Sequence, residues 1–435
     1  MAWFAKSDRG DLSATSVARS MLRGLFFTLK ISYIHLMKRT YLDYASLTPI
    51  DPRVTSEMKK YSSFAYANPS SLYKEGVTAK KALAQARQKV ADYLNAHSDE
   101  IVFTSGGTEA NGLALEGIAR TAVHGGITKP HIIISSIEHS SIIEAASMME
   151  KHGCEVTRLS VDRSGIISVE ELKKSIKENT ILVSIMTVNN EIGSVQPIKE
   201  VAKIVRDARK AKKDSVDSNK YPLLHTDAAQ ALYEEINMEN LGVDLLTLDG
   251  SKVYGPRGIG ALYVKRSVID AKQIEPTILG GGQESGMRSG TENIPGIMGL
   301  AKALELLGHS SQLERKKRGL ERERSRITKL RDLFVESLKK IHPDITINGT
   351  TICQSPHILN ISIPGIDNEF FLFQLDAQGI ACSTKSSCLR DLDESYVLKS
   401  IGADSKTSLR FSFGRWTKKS DINKVVSVIS KLLGK

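Results

Sequence analysis

Cysteine is scarce in this chain, and its scarcity excludes several kinds of protein. The 435 residues contain four cysteines, Cys154, Cys353, Cys382 and Cys388. Four thiols are too few for a disulfide framework, and none of them forms a C-x-x-C pair like those of zinc ribbons. The sequence therefore predicts no metal site, and its cysteine content is typical of a reducing compartment.

Long apolar runs are missing as well. No run approaches the roughly 18 apolar residues that a membrane-spanning helix needs, so we expect no membrane partner. Proline (12 residues) and glycine (32 residues) are too ordinary in number for collagen-like or low-complexity architectures. With 41% hydrophobic and 25% charged residues, the chain can bury a core. Its length suits two domains, or one large α/β domain and a smaller one.

The chain is basic, with a net charge of +11. Such a charge permits an acidic partner or nucleic acid. However, the sequence has no compact basic stripe interleaved with aromatic residues. A solvated basic surface is therefore the favoured interpretation, and no direct nucleic-acid partner is predicted.

Residues 1–36 differ in composition from the rest of the chain. They hold two acidic residues, scattered Arg and Ser, and an apolar stretch at residues 24–29 that Lys30 interrupts. This composition fits an organellar transit peptide. It also fits a start codon assigned too early, with Met37 as the natural beginning. We favour the second interpretation, which predicts a cytoplasmic protein, and in either case we expect the extension to lie outside the fold.

From about residue 75 to residue 265, short apolar runs alternate with amphipathic helical windows. The runs lie at 101–105, 131–136, 155–161, 181–188, 223–227, 244–248 and 259–264. The helical windows include 79–95, 108–121 and 198–211. This alternation is the βαβ signature of a mostly parallel, doubly wound sheet.

The C-terminal part has a different pattern. Residues 313–342 form one long charged helical pattern, which we interpret as a solvated helix between two domains, with a nucleic-acid face as the alternative. Shorter strand patterns follow at 357–363, 379–383 and 408–413, and helical patterns at 367–378 and 420–433. They predict a second, smaller α+β unit.

Three features of the sequence suggest chemistry. The run at 101–105 leads into Gly106-Gly107-Thr108-Glu109 and a helix, a turn whose free N–H groups could seat a phosphate. Asp227 ends an apolar strand, at the edge where doubly wound sheets bind ligands. Lys252 lies between a strand end and a Gly/Pro-rich loop, where partial desolvation would suit a Schiff-base amine. Taken singly, a plain connection, a helix N-cap and a surface lysine explain them as well or better.

The combination is more specific than its parts. A phosphate seat, a strand-end aspartate and a lysine about 25 residues further on are the partners of a cofactor with a phosphate, a pyridine nitrogen and an aldehyde. The sequence therefore predicts pyridoxal 5'-phosphate as the cofactor.

Longer stretches around these features resemble the cysteine desulfurases, class V aminotransferases of the pyridoxal-phosphate fold type I. The resemblance is strongest for the housekeeping branch, which supplies sulfur for iron–sulfur clusters and tRNA thiolation, and it runs from Tyr41 to Leu433. The most specific stretch is Gly286-Met-Arg-Ser-Gly-Thr291. The other stretches are residues 41–49, 68–70, 105–109, 137–139, 188–193, 227–230, 252–256, 280–285 and 409–415.

The resemblance implies a fold and an assembly. The fold would be α/β, with a seven-stranded, mostly parallel sheet in a large cofactor-binding domain, and a smaller α+β domain. The large domain would span residues 53–300, and the small domain residues 37–52 and 301–435. The resemblance also implies a homodimer, because Thr291 would reach a cofactor phosphate across the subunit interface.

The resemblance also assigns roles at the site. Lys252 would carry the cofactor, Asp227 would keep its pyridine nitrogen protonated, and His139 would stack on the ring and shuttle protons. Arg410 would grip the substrate carboxylate, with Asn360 in the strand beside it. Further cofactor contacts would come from Gly107, Thr108, Asn190, Gln230, Ser251 and Thr291.

Structural roles remain open for several of these residues. His139 is also explained as a satisfied core histidine, Arg410 as part of a structural ion pair, and Asn190 and Asn360 as turn caps.

The triplet before Lys252 departs from the family pattern. Where the family usually has Ser-Gly-His, this chain has Asp249-Gly250-Ser251. The imidazole is lost from the phosphate site, and Ser251 replaces it only in part. A carboxylate beside a phosphate costs free energy unless it turns away or pairs with a cation, so Asp249 bears on cofactor affinity.

Cys388 is the predicted sulfur-accepting nucleophile. It lies in the polar run 383–394, where an exposed, mobile thiol could attack the substrate sulfur and then reach a partner. The family's loop Ser-Thr-Gly-Ser-Ala-Cys matches residues 383–388, with Lys385 in place of Gly and Ser387 in place of Ala. A gapless alignment from Ser395 would put Ser387 at the nucleophile position, but a serine cannot carry a persulfide.

The leading hypothesis is an enzyme that converts L-cysteine to L-alanine and holds the sulfur as a persulfide. Its sulfur acceptor would be a protein such as an iron–sulfur scaffold or a tRNA-thiolation carrier. A selenocysteine lyase, or another class V transaminase or lyase, would keep the cofactor and change the reaction, although a transaminase needs no thiol in the loop. A non-catalytic scaffold for sulfur-transfer proteins is the third hypothesis, suggested by Asp249.

Overall fold

The apolar runs of the sequence form strands, and the amphipathic windows form helices. The computed structural model describes residues 39–63, 66–212, 221–308, 313–349, 352–384 and 394–434. The strands are β1 (Thr40–Tyr41), β2 (Ile101–Thr104), β3 (His131–Ser135), β4 (Glu155–Leu159), β5 (Thr180–Ser184), β6 (Leu223–Asp227), β7 (Leu245–Asp249), β8 (Gly260–Val264), β9 (Thr346–Ile347), β10 (Ile358–Ser362), β11 (Ile380–Ala381) and β12 (Ser408–Ser412).

The helices connect these strands and cover the central sheet. They are α1 (Pro52–Ser63), α2 (Lys74–Leu94), α3 (Gly107–His124), α4 (Ser140–Lys151), α5 (Val169–Ser175), α6 (Ile198–Ala211), α7 (Met238–Leu241), α8 (Arg266–Asp270), α9 (Ile294–Gly308), α10 (Leu313–Ile341), α11 (Asn368–Ala377), α12 (Tyr396–Ser400) and α13 (Lys419–Leu432). None of these helices combines the length and the apolar content needed to cross a membrane.

The central sheet has seven strands in the order β2-β8-β7-β6-β5-β3-β4. Strand β8 runs antiparallel to both of its neighbours, and the other pairings are parallel. This confirms the predicted fold class, an α/β fold with a seven-stranded, mostly parallel sheet.

Both faces of the inner strands β3, β5, β6 and β7 are buried, which explains why these strands are mostly apolar without alternation. In β3, Ile132 and Ile134 pack in a cluster with Ile118 of α3 and Ile142 of α4. Ile133, between them, points to the opposite face and joins the larger core. Successive side chains of a strand point to opposite faces, so a strand covered on both sides needs an apolar residue at every position.

The carboxyl ends of β2, β6 and β7 lie at one edge of the sheet, because the three strands run in the same direction. Gly260 begins β8 between β2 and β7, opposite Thr104 on one side and Asp249 on the other. A Cβ atom at Gly260 would lie 2.7 Å from the carbonyl carbon of Gly106 and 2.7 Å from the carbonyl oxygen of Leu248. The missing side chain therefore allows the turn after β2 to approach the end of β7.

The C-terminal part of the chain forms a second layer of strands. Strands β12, β10 and β9 make an antiparallel sheet, in which Asn360 pairs with Arg410. Strand β1, near the beginning of the described chain, pairs in parallel with β11. The N-terminal strand thus packs with C-terminal elements, in the arrangement expected for residues 37–52, although the domain boundaries stay a prediction.

Helix α10 differs from the solvated helix that its charges suggest. A stripe of four apolar residues, Ile327, Leu330, Phe334 and Leu338, belongs to the main hydrophobic core. The ring of Phe334 packs edge-on against Phe411 of β12, with 5.0 Å between centroids. The helix therefore supports β12 through an apolar face.

Candidate active site

A cavity of about 180 Å³ lies at the carboxyl edge of the central sheet. Eight of the predicted site residues line it, namely Gly107, Thr108, His139, Asn190, Asp227, Gln230, Lys252 and Arg410. A larger cleft of about 600 Å³, near Arg206 and Asp244, shares none of these residues. The chemistry predicted from the sequence therefore converges on the smaller cavity.

Asp227 ends β6 and is buried at the base of this cavity. Its Oδ1 atom accepts a hydrogen bond from the N–H of Ala229 (2.9 Å), and its Oδ2 accepts from Nδ2 of Asn111 (2.8 Å). A buried carboxylate held by neutral donors favours a cationic group in the space beside it.

Sequence analysis did not identify Asn111 as a site residue. It lies on α3, four residues after Gly107 and hence on the same face of the helix. Its side-chain nitrogen also donates to the hydroxyl of Ser141 (2.9 Å), which in turn contacts Nδ1 of His139 (2.8 Å). The sequence gives one hint of its role, since it is an amide residue that comes just after the predicted ligand-binding turn.

His139 caps the N-terminus of α4, and its Nδ1 accepts a hydrogen bond from the N–H of Ser141 (3.2 Å). Because Nδ1 is an acceptor, the neutral ring carries its proton on Nε2. Gln230 is also held in place, since Nε2 donates to the carbonyl of Ala45 (2.8 Å) and Oε1 accepts from His357 (3.3 Å). Burial lowers the pKa of His357 to about 3, so this ring stays neutral.

Lys252 ends a short 3-10 turn, Gly250–Lys252, that follows β7. Its side chain is half-buried, and Nζ donates a hydrogen bond to the carbonyl oxygen of Ser46. Asp227 and Lys252 come from neighbouring strands, and both line the cavity. The structure thus brings the predicted cation-binding carboxylate and the predicted amine into one site.

Asp249 occupies the turn that was predicted to seat a phosphate. Its Oδ2 accepts a hydrogen bond from the N–H of Gly107 (3.1 Å), the first residue of α3. Its Oδ1 accepts from both the N–H (2.7 Å) and the hydroxyl (2.6 Å) of Ser251. The carboxylate therefore points into the predicted phosphate seat. It also engages Ser251, the residue that stands where the family has a histidine.

Arg410 lies in β12 with only 1% of its surface exposed. One terminal nitrogen, Nη1, donates to the carbonyl of Asn190 (2.8 Å), and the other, Nη2, donates to Ser46 (2.7 Å) and Asp43 (3.0 Å). Its Nε has no hydrogen-bond partner among the described residues. An unsatisfied N–H on a buried guanidinium that lines a cavity is a donor available to an anionic ligand.

Three predicted site residues within the described part of the chain do not line the cavity. Asn360 is buried, and its side chain is engaged with Asn348 (2.8 Å) and the carbonyl of Glu191 (3.3 Å). Ser251 contacts Asp249 at the edge of the cavity, and Thr291 is exposed on a loop. Cys388 lies outside the described residues.

The other three cysteines differ in their surroundings. Cys154 is buried, Cys382 is half-buried and Cys353 is exposed. Desolvation raises the pKa of the Cys382 thiol well above its usual range, and it also raises the pKa of Cys154. Burial therefore disfavours the reactive thiolate at both of these positions.

The cavity fits the ring of pyridoxal 5'-phosphate better than its phosphate. Asp227 suits a protonated pyridine nitrogen, Gln230 a phenolic oxygen, and Lys252 an aldehyde carbon. At the phosphate end, the donors of Gly107 and Ser251 are present but are engaged by Asp249. Across the described ranges, no group of three or more His, Cys, Asp or Glu residues is arranged to hold a metal ion.

Comparisons with known proteins identify the family of this chain. The profile of the family described as Aminotransferase class-V matches residues 40–425. The cysteine desulfurase IscS of Dictyoglomus turgidum is 39% identical over 406 residues, which cover 92% of this chain and 96% of that protein. The mitochondrial cysteine desulfurase of Candida albicans is 38% identical over 399 residues, covering 90% and 76%.

Solved structures give the same result. A NifS-like protein superposes with a TM-score of 0.80 at 32% identity, covering 91% of this chain and 99% of that one. A structure of SspA in complex with cysteine superposes with a TM-score of 0.70, also at 32% identity, covering 86% and 98%. The resemblance seen in the sequence is thereby confirmed, and the chain belongs to the class-V aminotransferase family, among its cysteine desulfurases.

Proposed function

We propose that this protein is a pyridoxal-phosphate-dependent cysteine desulfurase, which converts L-cysteine to L-alanine and keeps the sulfur as an enzyme persulfide. The observation that carries the proposal is that one cavity brings together Asp227, Lys252 and Arg410. A cationic ring, a carbonyl carbon and an amino-acid carboxylate are the groups that these three side chains would bind. The cysteine desulfurases among the relatives, and the neighbour solved with cysteine, support this substrate.

The cofactor would be held at its ring by Asp227, Gln230 and His139, and at its aldehyde by Lys252. When bound, pyridoxal phosphate supplies an electron sink for the bonds around the substrate's amine-bearing carbon. The protein's contribution is to hold the carboxylate of Asp227 in place, and the hydrogen bonds from Asn111 and Ala229 do this.

The substrate carboxylate would bind to Arg410, whose Nε is left unsatisfied. Asp43 and Ser46 hold the guanidinium through Nη2, and Asn190 holds it through Nη1, so the donor is fixed in advance. Asn360 lies opposite Arg410 in the sheet and would act by positioning this strand pair, since its own amide is engaged within the protein.

His139 would move a proton. Its Nδ1 is held by Ser141, which leaves the proton of the neutral ring on Nε2. A histidine ring can act as a general acid or base, so His139 would take up and release a proton during turnover.

Cys388 would accept the sulfur. The backbones of Ser383 and Arg410 form an isolated β-bridge, with the N–H of Ser383 donating to the carbonyl of Arg410 (3.0 Å). Cys388 follows five residues after Ser383, a length that spans at most about 17 Å. The segment that carries the thiol therefore begins beside the residue that would bind the substrate carboxylate.

The transfer of sulfur balances without any outside oxidant. The Cys388 sulfur forms a bond to the substrate sulfur while the bond between that sulfur and the substrate Cβ breaks. The carbon gains the electron pair and a proton to become the methyl group of alanine, and the two sulfurs share the oxidation as a persulfide. One enzyme thiol and one cysteine thus yield one enzyme persulfide and one alanine.

The assembly and the acceptor belong to the same proposal. Thr291 is exposed on a loop that the Arg288–Glu109 ion pair (2.8 Å) ties to α3, and Leu279 in the same loop region is 78% exposed. This surface would form a homodimer interface, across which Thr291 would reach the partner's cofactor phosphate.

The sulfur acceptor would be a protein such as an iron–sulfur scaffold or a tRNA-thiolation carrier, and the enzyme would work in the cytoplasm.

The test is to incubate purified protein with pyridoxal 5'-phosphate, L-cysteine and a reductant, and to measure sulfide and alanine in equal amounts. Persulfides formed without the reductant are trapped by alkylation and mapped by mass spectrometry. Cys388→Ser should abolish the persulfide, whereas Cys353→Ser, at an exposed cysteine, serves as the matched control. A persulfide on Cys353 or Cys382, with Cys388→Ser fully active, would refute the role of Cys388. Turnover of selenocysteine alone would favour the lyase.

A further inference from the structure

We infer that the Asp249 carboxylate is an internal anion in the phosphate seat, so that the phosphate of the cofactor must compete with the protein's own side chain for Gly107 and Ser251. Asp249 would thereby set the specificity of the site, by reducing its preference for a phosphorylated over an unphosphorylated pyridoxal. The inference rests on the proposed function, whose cofactor is the ligand concerned.

The hydrogen bonds of Asp249 are those that an anion in this seat would make. Both carboxylate oxygens are used, and three donors converge on them at 2.6–3.1 Å. One donor is the first N–H of α3, a helix of 18 residues, where the helix dipole adds a favourable positive potential. The turn that would bind a phosphate is therefore already satisfied by a negative charge from the protein.

The Asp249 side chain also occupies the space next to Gly107. A Cβ atom placed on Gly107 would lie 3.1 Å from Oδ2 of Asp249 and 3.3 Å from its Cβ atom. The side chain thus packs directly against the turn, and a phosphate that uses the N–H of Gly107 has to displace the carboxylate from it.

Displacement has a cost beyond the lost hydrogen bonds. Phosphate oxygens are acceptors with negative charge, and a carboxylate that remains nearby repels them. A hydroxyl in the same place is a donor, and it can bond to the carboxylate directly. Asp249 therefore penalises the phosphate ester and not the alcohol of pyridoxal.

The experiment compares two ligands that differ only in the phosphate. The full chain, freed of cofactor, is titrated with pyridoxal 5'-phosphate and with pyridoxal, and binding is followed by absorbance. Asp249→Ser should bind pyridoxal 5'-phosphate about tenfold more tightly than the unmodified protein, with a much smaller change for pyridoxal. Asp249→Asn, which keeps the shape and removes the charge, should shift in the same direction and replaces the serine variant if that one fails to fold.

Asp404 offers a matched control. It caps a 3-10 turn, Ser405–Thr407, by accepting from the N–H two residues ahead (2.9 Å), as Asp249 does at Gly250–Lys252, but it is exposed and far from the cavity in sequence. Asp404→Ser should bind both ligands as the unmodified protein does. An equal gain in Asp404→Ser would mean that the effect comes from loosening any capped turn, and it would overturn the inference.

Inorganic phosphate provides a readout that does not depend on the ring. It should raise the thermal unfolding temperature of Asp249→Ser more than that of the unmodified protein. If both proteins show the same response to phosphate and the same cofactor affinity, the inference is overturned and the proposed function stands. If phosphate stabilises Asp249→Ser selectively but neither protein binds pyridoxal 5'-phosphate, the proposed function fails and the anion seat stands.

Discussion

Strands β6 and β7 lie side by side and both end in an aspartate, yet the two carboxylates serve opposite needs. Asp227 and Asp249 each accept a hydrogen bond from the N–H two residues ahead, Ala229 in one case and Ser251 in the other. Each also accepts a bond from α3, Asp227 from the side chain of Asn111 and Asp249 from the backbone of Gly107.

The difference between them lies in what the ligand would bring to each carboxylate. At Asp227 the cofactor would present a protonated nitrogen, so the buried negative charge gains a partner. At Asp249 it would present a phosphate, so the charge opposes binding. Similar local geometry would thus support binding in one place and hinder it in the next, because the ligand would bring opposite charges to the two carboxylates.

Lys252 tests whether the two aspartates belong to one site, because it follows β7 and lines the cavity with Asp227. Lys252→Ala should lose the absorbance of bound cofactor and lower the turnover of L-cysteine by roughly a thousandfold or more, since no other amine would hold the aldehyde. Absorbance spectra and alanine formation measure both effects. Lys265→Ala, at a half-exposed lysine near Asp244, is the control. Near-normal alanine release by Lys252→Ala would contradict the site assignment.

The same conservative change should act in opposite directions at the two aspartates. Asp227→Asn keeps the acceptor for Ala229 but removes the charge that would keep the pyridine nitrogen protonated. Turnover at saturating cofactor should fall by on the order of 100-fold, whereas Asp249→Asn should tighten cofactor binding. Steady-state kinetics and cofactor titration distinguish them. If both variants gained cofactor affinity, Asp227 would be a second internal anion and not a partner for the ring.

Asn111 is expected to stabilise the fold through Asp227. Asn111→Ala removes a donor and leaves Oδ2 of a buried carboxylate unsatisfied, at a cost of about 1–3 kcal/mol. Urea unfolding of the cofactor-free protein measures this loss. Asn179→Ala provides the comparison, because its amide bonds only the carbonyl of Lys129 near the surface. Equal losses in the two variants would show that Asp227 does not depend on Asn111.

Acid should weaken the link between β6 and β7. His225 is buried in β6, and it contacts Thr247 of β7 (3.1 Å) and Ser184 of β5 (2.8 Å). Burial lowers its pKa to about 3. The unfolded chain, with a pKa near 6.5, binds the proton more readily, so the stability present above pH 6.5 is lost as the pH falls from 6.5 towards 3.

This histidine alone can contribute a slope of up to about 1.4 kcal/mol per pH unit in that range. His131 and His357, whose pKa values are also lowered by burial, to about 4 and about 3, act in the same direction. Urea unfolding at a series of pH values measures the slope, and His225→Gln should reduce it. A slope that is unchanged in this variant would assign the acid sensitivity to the other two.

Local patterns predicted much of the central sheet. The helical window 198–211 coincides with α6, and Asp227 ends its strand as expected, because burial on both faces leaves a continuous apolar run between turn residues. The run predicted at 181–188 is a shorter strand, Thr180–Ser184. Beyond the strand, the N–H groups of Ile185 and Thr187 still donate to carbonyl groups of β6. The apolar run therefore extends over all the residues that are hydrogen-bonded to β6, including those after the regular strand ends.

Contacts between distant parts of the chain were not predictable from such patterns. Strand β1 has two residues and exists only because β11, some 340 residues later, pairs with it. The buried stripe of α10 was hidden by the many charges around it. The roles of Asn111 and Asp249 also depend on how closely α3 lies to the ends of β6 and β7. No periodicity or spacing in the sequence predicts that distance.

Gly260 adds an evolutionary consequence to this arrangement. A Cβ atom there would lie 2.7 Å from backbone atoms on both sides, and backbone cannot move aside as a flexible side chain can. A side chain at Gly260 would therefore force the turn and the strand apart, whereas Asp249 contributes to the seat through the oxygens of its side chain. The backbone shape of the anion seat thus depends on Gly260, which has no room for a side chain. The charge of the seat depends on the side chain of Asp249, which mutation can replace.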